Sequence, residues 1–295
     1  MTEQPAYQFD EWRRYLTGVA YRMLGSVTEA EDVVQDAYLR WHDADHLSVS
    51  DVRAYLTTVT SRLCLDRLRS AHRQRETYVG PWLPEPLLEA PDTSADAEAL
   101  ASDVSFALML ALERLSPLER AAFLLHDVFG LDFGQVAVSL NRSEASCRQL
   151  ASRARKRVQA ERPRYHVTAG EHSQLTDRFF DAARSGDVST LKVLLTENAT
   201  LHTDGGGKRI AARRLIFGAD KIARFFEGLA RKAASSRPRW VKPVIVNGRP
   251  GWLTIEQDGL PQVTTLDVAD NRVQALYIVR NPDKLRHLAD QFPER

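Results

Sequence analysis

The stretch Asp132–Val158, DFGQVAVSLNRSEASCRQLASRARKRV, decides how the rest of the chain is read. DFGQVAVSL reads as a short helix and Asn141–Arg142 as a tight turn; SEASCRQLASRARKRV reads as a second helix with Ser143 as its cap. Cys147, Leu150, Ala151, Ala154 and Val158 recur at helical spacing and form an apolar stripe along the second helix. Ser146, Arg148, Gln149, Ser152, Arg153 and Lys156 stay outside that stripe. Ala137 supplies a small side chain where two helices must cross closely. The pattern is that of a helix-turn-helix whose second helix offers Arg and Gln to base edges in the major groove. A plain helical hairpin with a basic exposed face is the bland alternative.

Upstream, residues 29–41 (EAEDVVQDAYLRW) place Ala30, Val33, Val34, Ala37, Tyr38 and Trp41 on one stripe of an amphipathic helix. Thr28 and Glu31 stand three apart as a capping box, and the face carrying Glu29, Asp32 and Asp36 is then acidic and exposed. A second helix over 51–70 sets Val52, Leu56, Val59 and Leu63 on one side. It runs out into Arg62, Arg67, Arg69, Arg73 and Arg75. Cations suit the negative end of a helix dipole, but five arginines within fourteen residues exceed that need.

The net charge of +1 hides a segregation: −6 over 26–51, +3 over 62–76, −7 over 85–113 and +6 over 142–164. Alternating blocks of this size mark separate surfaces for separate partners, with the basic ones as phosphate contacts. Solvated helix faces are the bland reading of either basic block. At 295 residues, 43% hydrophobic and 27% charged, the composition is that of a soluble protein with about two domains. No apolar run reaches the ~18 residues of a membrane span, and Met1–Asp10 lacks the basic and apolar regions of a secretory signal. A cytoplasmic protein that does not engage membranes is expected. Cys64 and Cys147 lie 83 positions apart with no CxxC and no clustered His, so neither a metal site nor a disulfide scaffold is expected. Both read as core thiols.

Residues 77–98 break the helical pattern with Gly80, Pro81, Pro84, Pro86 and Pro91 and read as an extended linker. A second helical unit follows from about Asp96 to Arg162. Beyond it, helices are predicted at 172–184, 187–195 and 219–232. Alternating β-branched stretches then come at 239–247, 251–257, 262–269 and 272–280, separated by NGRPG, DGL and ADN turns. Helices first and antiparallel strands after make this an α+β domain. The expected division is 1–76, a linker over 77–98, 99–165 and 166–295.

The segments then acquire a family resemblance. YRMLGSVTEAEDVVQDAYLRW (21–41) resembles regions 2.1–2.2 of bacterial extracytoplasmic-function sigma factors. VRAYLTTVTSRLCLDRLRSAHRQRE (52–76) resembles their regions 2.3–2.4, and residues 112–158 resemble region 4. The third region resembles the SnoaL-like domain that a subset of these factors carries at the C-terminus, on three short motifs: WLPEP at 82–86, DGGGK at 204–208 and NPDKL at 281–285. The implied architecture is two all-α sigma domains, the second with the helix-turn-helix, followed by an α+β SnoaL-like cone.

The resemblance implies a promoter-specificity subunit. Glu29, Asp32, Gln35 and Asp36 would bind core RNA polymerase through the β′ coiled coil, with β as the other subunit contacted. Arg62, Arg67, Arg69, Arg73 and Arg75 would meet the −10 region of promoter DNA. Ser146, Arg148, Gln149, Ser152, Arg153 and Lys156 would read the −35 element. The fused domain would regulate in cis, in place of a separate anti-sigma protein. Its implied set is Trp82, Leu83, Pro84, Glu85 and Pro86 with Asp204, Gly205, Gly206, Gly207 and Lys208, and with Asn281, Pro282, Asp283, Lys284 and Leu285. Trp82 and Leu83 are expected to dock near the other two motifs, since a large ring gains by burial. Each motif has a plainer reading: a permissive glycine turn, a helix start with Asn281 as cap and Pro282 first, and a stiff spacer.

Catalysis would need a pocket carboxylate or His with a shifted pKa. His202, Asp204, Asp267 and Tyr277 are candidates by location alone. No acid–base pair can be read from their spacing, so no catalytic residue, cofactor or metal is expected, while the cone is a candidate chamber for an unidentified small ligand. The competing function is a one-component helix-turn-helix regulator with a ligand-binding domain, and a further one is an enzyme with a DNA-binding appendage. The acidic 29–41 helix and the arginines of 62–75 argue against the regulator, which needs neither.

Overall fold

The computed structural model describes residues 3–75, 78–88, 104–161, 169–232 and 237–293. The chain forms two compact units, one from residues 1–77 and 107–162, the other from 78–106 and 163–295. The predicted boundaries near 99 and 165 and the outer linker residues 89–98 lie outside the described residues.

The first unit is helical. Helix α1 (Glu3–Leu24) ends at Gly25, whose φ of 72° is open to a residue without Cβ. Helix α2 (Val27–His42) starts two residues earlier than the sequence suggested: Ser26, not Thr28, is the cap, accepting from the Glu29 amide at 3.1 Å. Ser26 and Glu29 fit the same three-residue spacing, and the turn left by Gly25 selects the earlier register. Ala30, Val33, Val34, Ala37 and Trp41 are buried as the stripe requires. Helix α3 (Val52–Arg75) buries more than the expected single side, adding Thr57, Thr60, Ser61, Cys64, Leu65 and Leu68 to Leu56 and Leu63. It has neighbours on several sides, namely α1, α2 and the helices of the second half of the unit.

That half comprises α4 (Phe106–Glu113), α5 (Pro117–Phe123), a π turn at Leu124–Val128, α6 (Phe133–Leu140) and α7 (Glu144–Glu161). Capping boxes open α5 (Ser116 with Glu119) and α6 (Asp132 with Gln135). Arg120 ties the two halves together. It is almost wholly buried and donates to Met23 O at 2.7 Å and Leu112 O at 2.9 Å, while pairing with Glu113 at 2.8 Å. Burial pulls its guanidinium down to about 9.

The second unit contains α8 (Ala169–Ser185), α9 (Val188–Leu194), β1 (Leu195–Asp204), β2 (Ile216–Phe217), α10 (Ala219–Lys232), β3 (Trp240–Val246), β4 (Arg249–Ile255), β5 (Pro261–Ala269) and β6 (Arg272–Val279). The sheet order is β2-β1-β6-β5-β4-β3. All pairs are antiparallel except β1 with β6, which is parallel. The sequence reading had four antiparallel strands and no strand over 195–204; the polar run ENAT and a register shift between Leu195 and Thr200 mask the alternation there. Phe179, Leu191, Leu194, Ile222 and Phe226 of the helices pack on Trp252, Leu266, Leu276 and Ile278 from one face of the sheet. Asn247–Gly248 and Asp270–Asn271 turn the hairpins with both residues at positive φ, the two-residue solution that matches strand twist. Asn281 caps a terminal 3₁₀ helix, Pro282–Gln291, in place of an ordinary helix.

Candidate nucleic-acid interface and linker clamp

Helix α7 is capped by Ser143, which accepts from the Ser146 amide at 3.3 Å, and Asn141 makes the turn before it in the left-handed region at φ 51°. Cys147, Ala151, Ala154 and Val158 are fully buried. Arg148, Gln149, Ser152, Arg153 and Lys156 are exposed and Ser146 half-exposed, so the six side chains share the outer face. Arg148 is held ready on that face by Glu144 at 2.6 Å and by the Phe133 ring, 5.2 Å from its guanidinium carbon. Arg155 and Arg157 of the same basic run serve the fold, pairing with Asp127 at 2.6 Å and Glu119 at 2.9 Å. Burial pushes the Cys64 thiol far up, and likewise raises Cys147.

The acidic and basic groups of α2 and α3 meet each other. Arg67 donates to Asp36 at 2.9 Å, to Glu29 O at 3.3 Å and to Asp32 at 3.5 Å. Glu29 and Asp36 are half-covered, not part of a freely exposed face, while Gln35 and Asp32 remain exposed. Arg69 pairs with Asp66 on its own helix. Arg62 donates to Val138 O at 2.8 Å and Ser139 O at 3.2 Å at the C-terminal end of α6, and Thr58 Oγ1 lies 2.9 Å from Ser139 Oγ. The helix continues through Arg73 and Arg75, whose side chains lie outside the described residues.

In the second unit the three short motifs come together. The carboxylate of Asp204 is fully buried and accepts from Tyr78 Oη at 2.5 Å, Lys284 Nζ at 2.7 Å, Leu83 N at 2.9 Å and Gly206 N at 3.0 Å. Lys284 also donates to Leu83 O, and its ammonium sits 4.3 Å from the centre of the Trp82 ring and 4.9 Å from that of Tyr78. A desolvated ammonium over an aromatic face adds about 2 kcal/mol to such a contact. Burial, then the Asp204 carboxylate beside it, pushes the Tyr78 hydroxyl far up, so it remains a donor.

Asn281 donates to Tyr78 Oη at 2.9 Å, and Lys208 pairs with Asp283. Leu83, Pro84, Pro86 and Leu285 are buried, and His287 Nε2 lies 2.8 Å from Pro86 O, beside Glu85. The glycines are required sterically: a Cβ on Gly205 would stand 2.4 Å from Arg209 O, and one on Gly206 would stand 2.3 Å from the Asn281 amide nitrogen.

Three contributors escaped the sequence reading: Tyr78, His287 and Asn247. Asn247 is buried, takes Leu87 N at 2.9 Å, donates its own N–H to Leu87 O at 2.8 Å and sends its amide to Val104 O at 2.8 Å. Its Asn-Gly dipeptide signals only the turn.

Three of the four catalytic candidates meet at the Tyr277 ring, and the fourth stands apart. Asp204 belongs to the clamp. Asp267 accepts from Tyr277 Oη at 2.8 Å, with Phe106 stacked on that ring at 5.2 Å. His202 lies beside the same ring and near Thr200. Burial raises Asp267 and, with the neighbouring carboxylate, Tyr277. None of the four lines the cavity of about 320 Å³ between α8, α10 and the sheet. Among the described residues no group of three His, Cys, Asp or Glu side chains is placed to hold a metal ion, and no helix is long and apolar enough to cross a membrane.

Residues 8–74 match the family model for sigma-70 region 2, and residues 105–158 match the model for sigma-70 region 4. That pair defines the class, a sigma-70-type transcription initiation factor. The chain is 42% identical over 290 residues to the ECF RNA polymerase sigma factor SigJ of Mycobacterium tuberculosis, covering 94% of this chain and 92% of that one. It is 33% identical over 280 residues to the probable ECF RNA polymerase sigma factor SigI of the same species, covering 92% of each. The crystal structure of M. tuberculosis SigJ aligns with a TM-score of 0.76 at 39% identity, over 95% of this chain and 98% of that one. The chain belongs to the extracytoplasmic-function (ECF) RNA polymerase sigma factors, proteins of promoter-specific transcription initiation, and its C-terminal unit is an α+β domain.

Proposed function

We propose that this sigma factor is controlled in cis by the state of its linker clamp. Helix α2 docks on the β′ coiled coil of core RNA polymerase through Glu29, Asp32, Gln35 and Asp36, with β completing the contact. The arginines of α3 meet the −10 region, and the outer face of α7 reads the −35 element in the major groove. Arg67 and Arg62 already hold protein acceptors, at Asp36 and at the end of α6. DNA engagement by these two residues therefore exchanges protein contacts for phosphate contacts. The C-terminal unit acts as a non-enzymatic regulator in the compartment where polymerase works, with its cavity as a ligand chamber.

The observation that carries this reading is Asp204: one buried carboxylate holds both Tyr78 and Leu83 of the linker. Control therefore reaches the chain between regions 2 and 4 directly. The test is promoter-directed transcription with purified core polymerase, comparing the full chain, its Trp82→Ala variant and a chain ending at Arg164. Initiation that changes in the same direction in both altered proteins supports control through the clamp. Equal initiation by all three removes it. A full chain that retards promoter DNA alone but never directs initiation favours the one-component regulator.

A further inference from the structure

The cavity of the C-terminal unit has two unlike ends. Phe179, Phe180, Phe226 and Trp252 form an aromatic wall, with the Phe180 and Trp252 rings 4.6 Å apart and Phe179 edge-on to Phe226 at 5.7 Å. Its volume of about 320 Å³ suits one small molecule. The opposite end is polar and lined by Arg184, Glu256, Asp258 and Arg280.

The charges at that end do not balance. Glu256 is saturated: Arg184 donates to both its oxygens at 2.6 and 2.7 Å, and Thr254 donates to Oε1 at 2.6 Å. Asp258 is held at 2.7 Å by Arg209, outside the cavity, and reached by Arg280 only at 3.4 Å. Three guanidinium groups thus share two carboxylates. Arg280 is the one left short. It donates to Ile210 O at 2.7 Å, and its Nε is buried without a hydrogen-bond partner. A buried donor left unmatched carries a desolvation penalty, and with Asp258 only at 3.4 Å the Arg280 guanidinium has hydrogen-bonding capacity to spare. Burial, followed by the field of Arg209, lowers the Arg280 guanidinium. An anion would relieve that second effect, whereas a cation would aggravate it.

We propose that this cavity binds a small, largely apolar molecule carrying a single anionic group, its apolar body against the aromatic wall and its anion at Arg280. The proposal rests on reading the cavity as a ligand chamber and adds the chemical class. A neutral apolar ligand would leave the cationic excess uncompensated, and a basic one would meet only carboxylates already engaged by Arg184 and Arg209.

Two dyes that differ by one charge test this on the full chain. The anion 8-anilinonaphthalene-1-sulfonate and its neutral parent N-phenyl-1-naphthylamine share the same rings. Fluorescence titration should show one saturable sulfonate site per chain, on the order of tenfold tighter than the neutral amine. Arg280→Gln should remove most of that preference while the neutral amine binds as before. Leu229→Glu, at a position on the cavity lining that is already about half exposed and so tolerant of change, should weaken the sulfonate alone. Equal affinity for the two dyes overturns the anionic class but leaves the chamber. Saturable binding of neither overturns both. Sulfonate binding untouched by either variant puts the dye elsewhere and also overturns the proposal.

Discussion

Replacing Lys284 by Met keeps the length of the side chain and removes its charge. In the clamp this leaves the fully buried Asp204 carboxylate with Tyr78, Leu83 and Gly206 as donors and no counter-ion. Breaking a buried pair from one side costs about 3–5 kcal/mol. For a unit of this size each kcal/mol moves the melting temperature by about 2–4 °C, so the expected fall is about 6–20 °C. Asp204→Asn should fall by a similar amount, because it strands the ammonium between the Trp82 and Tyr78 rings. The double variant should lose less than the sum, with a coupling on the order of 0.5–3 kcal/mol. Scanning calorimetry of the full chain reads all three. Losses below about 1 kcal/mol in the single variants, or strict additivity in the double, would show that the two charges do not hold the linker together.

Trp82→Ala removes the ring under the Lys284 ammonium, and thermolysin should then cut the linker severalfold faster; an unchanged cutting rate would mean that Trp82 is not its anchor. Asn141→Val puts a β-branched residue at φ 51° in the turn of the helix-turn-helix, which should cost about 1–2 kcal/mol, read from the urea midpoint of the helical unit. Acid should weaken the second unit. Burial raises the Glu256 carboxyl, but the Arg184 hydrogen bonds outweigh it and hold it below its ordinary 4.5, and Lys208 likewise holds Asp283 low. The unfolded chain then binds more protons than the folded one. This stabilisation is complete above the ordinary carboxylate range and is lost as pH falls through it. Unfolding midpoints measured from pH 6 to 3 should fall, and less steeply in Glu256→Gln. An equally steep fall in that variant would assign the acid sensitivity to other groups.

Helices with a clean apolar stripe were the most legible part of the chain. Ala30, Val33, Val34, Ala37 and Trp41 are buried where their spacing puts them, as are Cys147, Ala151, Ala154 and Val158. The hairpin turns were equally plain, because Asn-Gly and Asp-Asn at positive φ mark themselves. Strand β1 was hidden because its polar middle and shifted register break the alternation that identifies a strand. The candidate site was legible as motifs and illegible as geometry. Nothing local to Tyr78 or Asn247 reveals that their partners lie 126 and 143 residues away. Nor does charge patterning show that Arg67 answers Asp36, since each block reads as a surface until both helices are placed side by side.

The clamp also has a timetable. Lys284 follows Leu83 by 201 residues, and at about 5–20 residues per second a ribosome needs about 10–40 s to make that stretch. Region 4 is complete only at residue 158, so for the last part of that interval, about 6–25 s, both sigma regions exist on the nascent chain while the Lys284 half of the clamp is still unmade. A chain that ends between residues 158 and 284 would carry both sigma regions without Lys284, so under the control proposed above such a fragment would be a factor without its restraint.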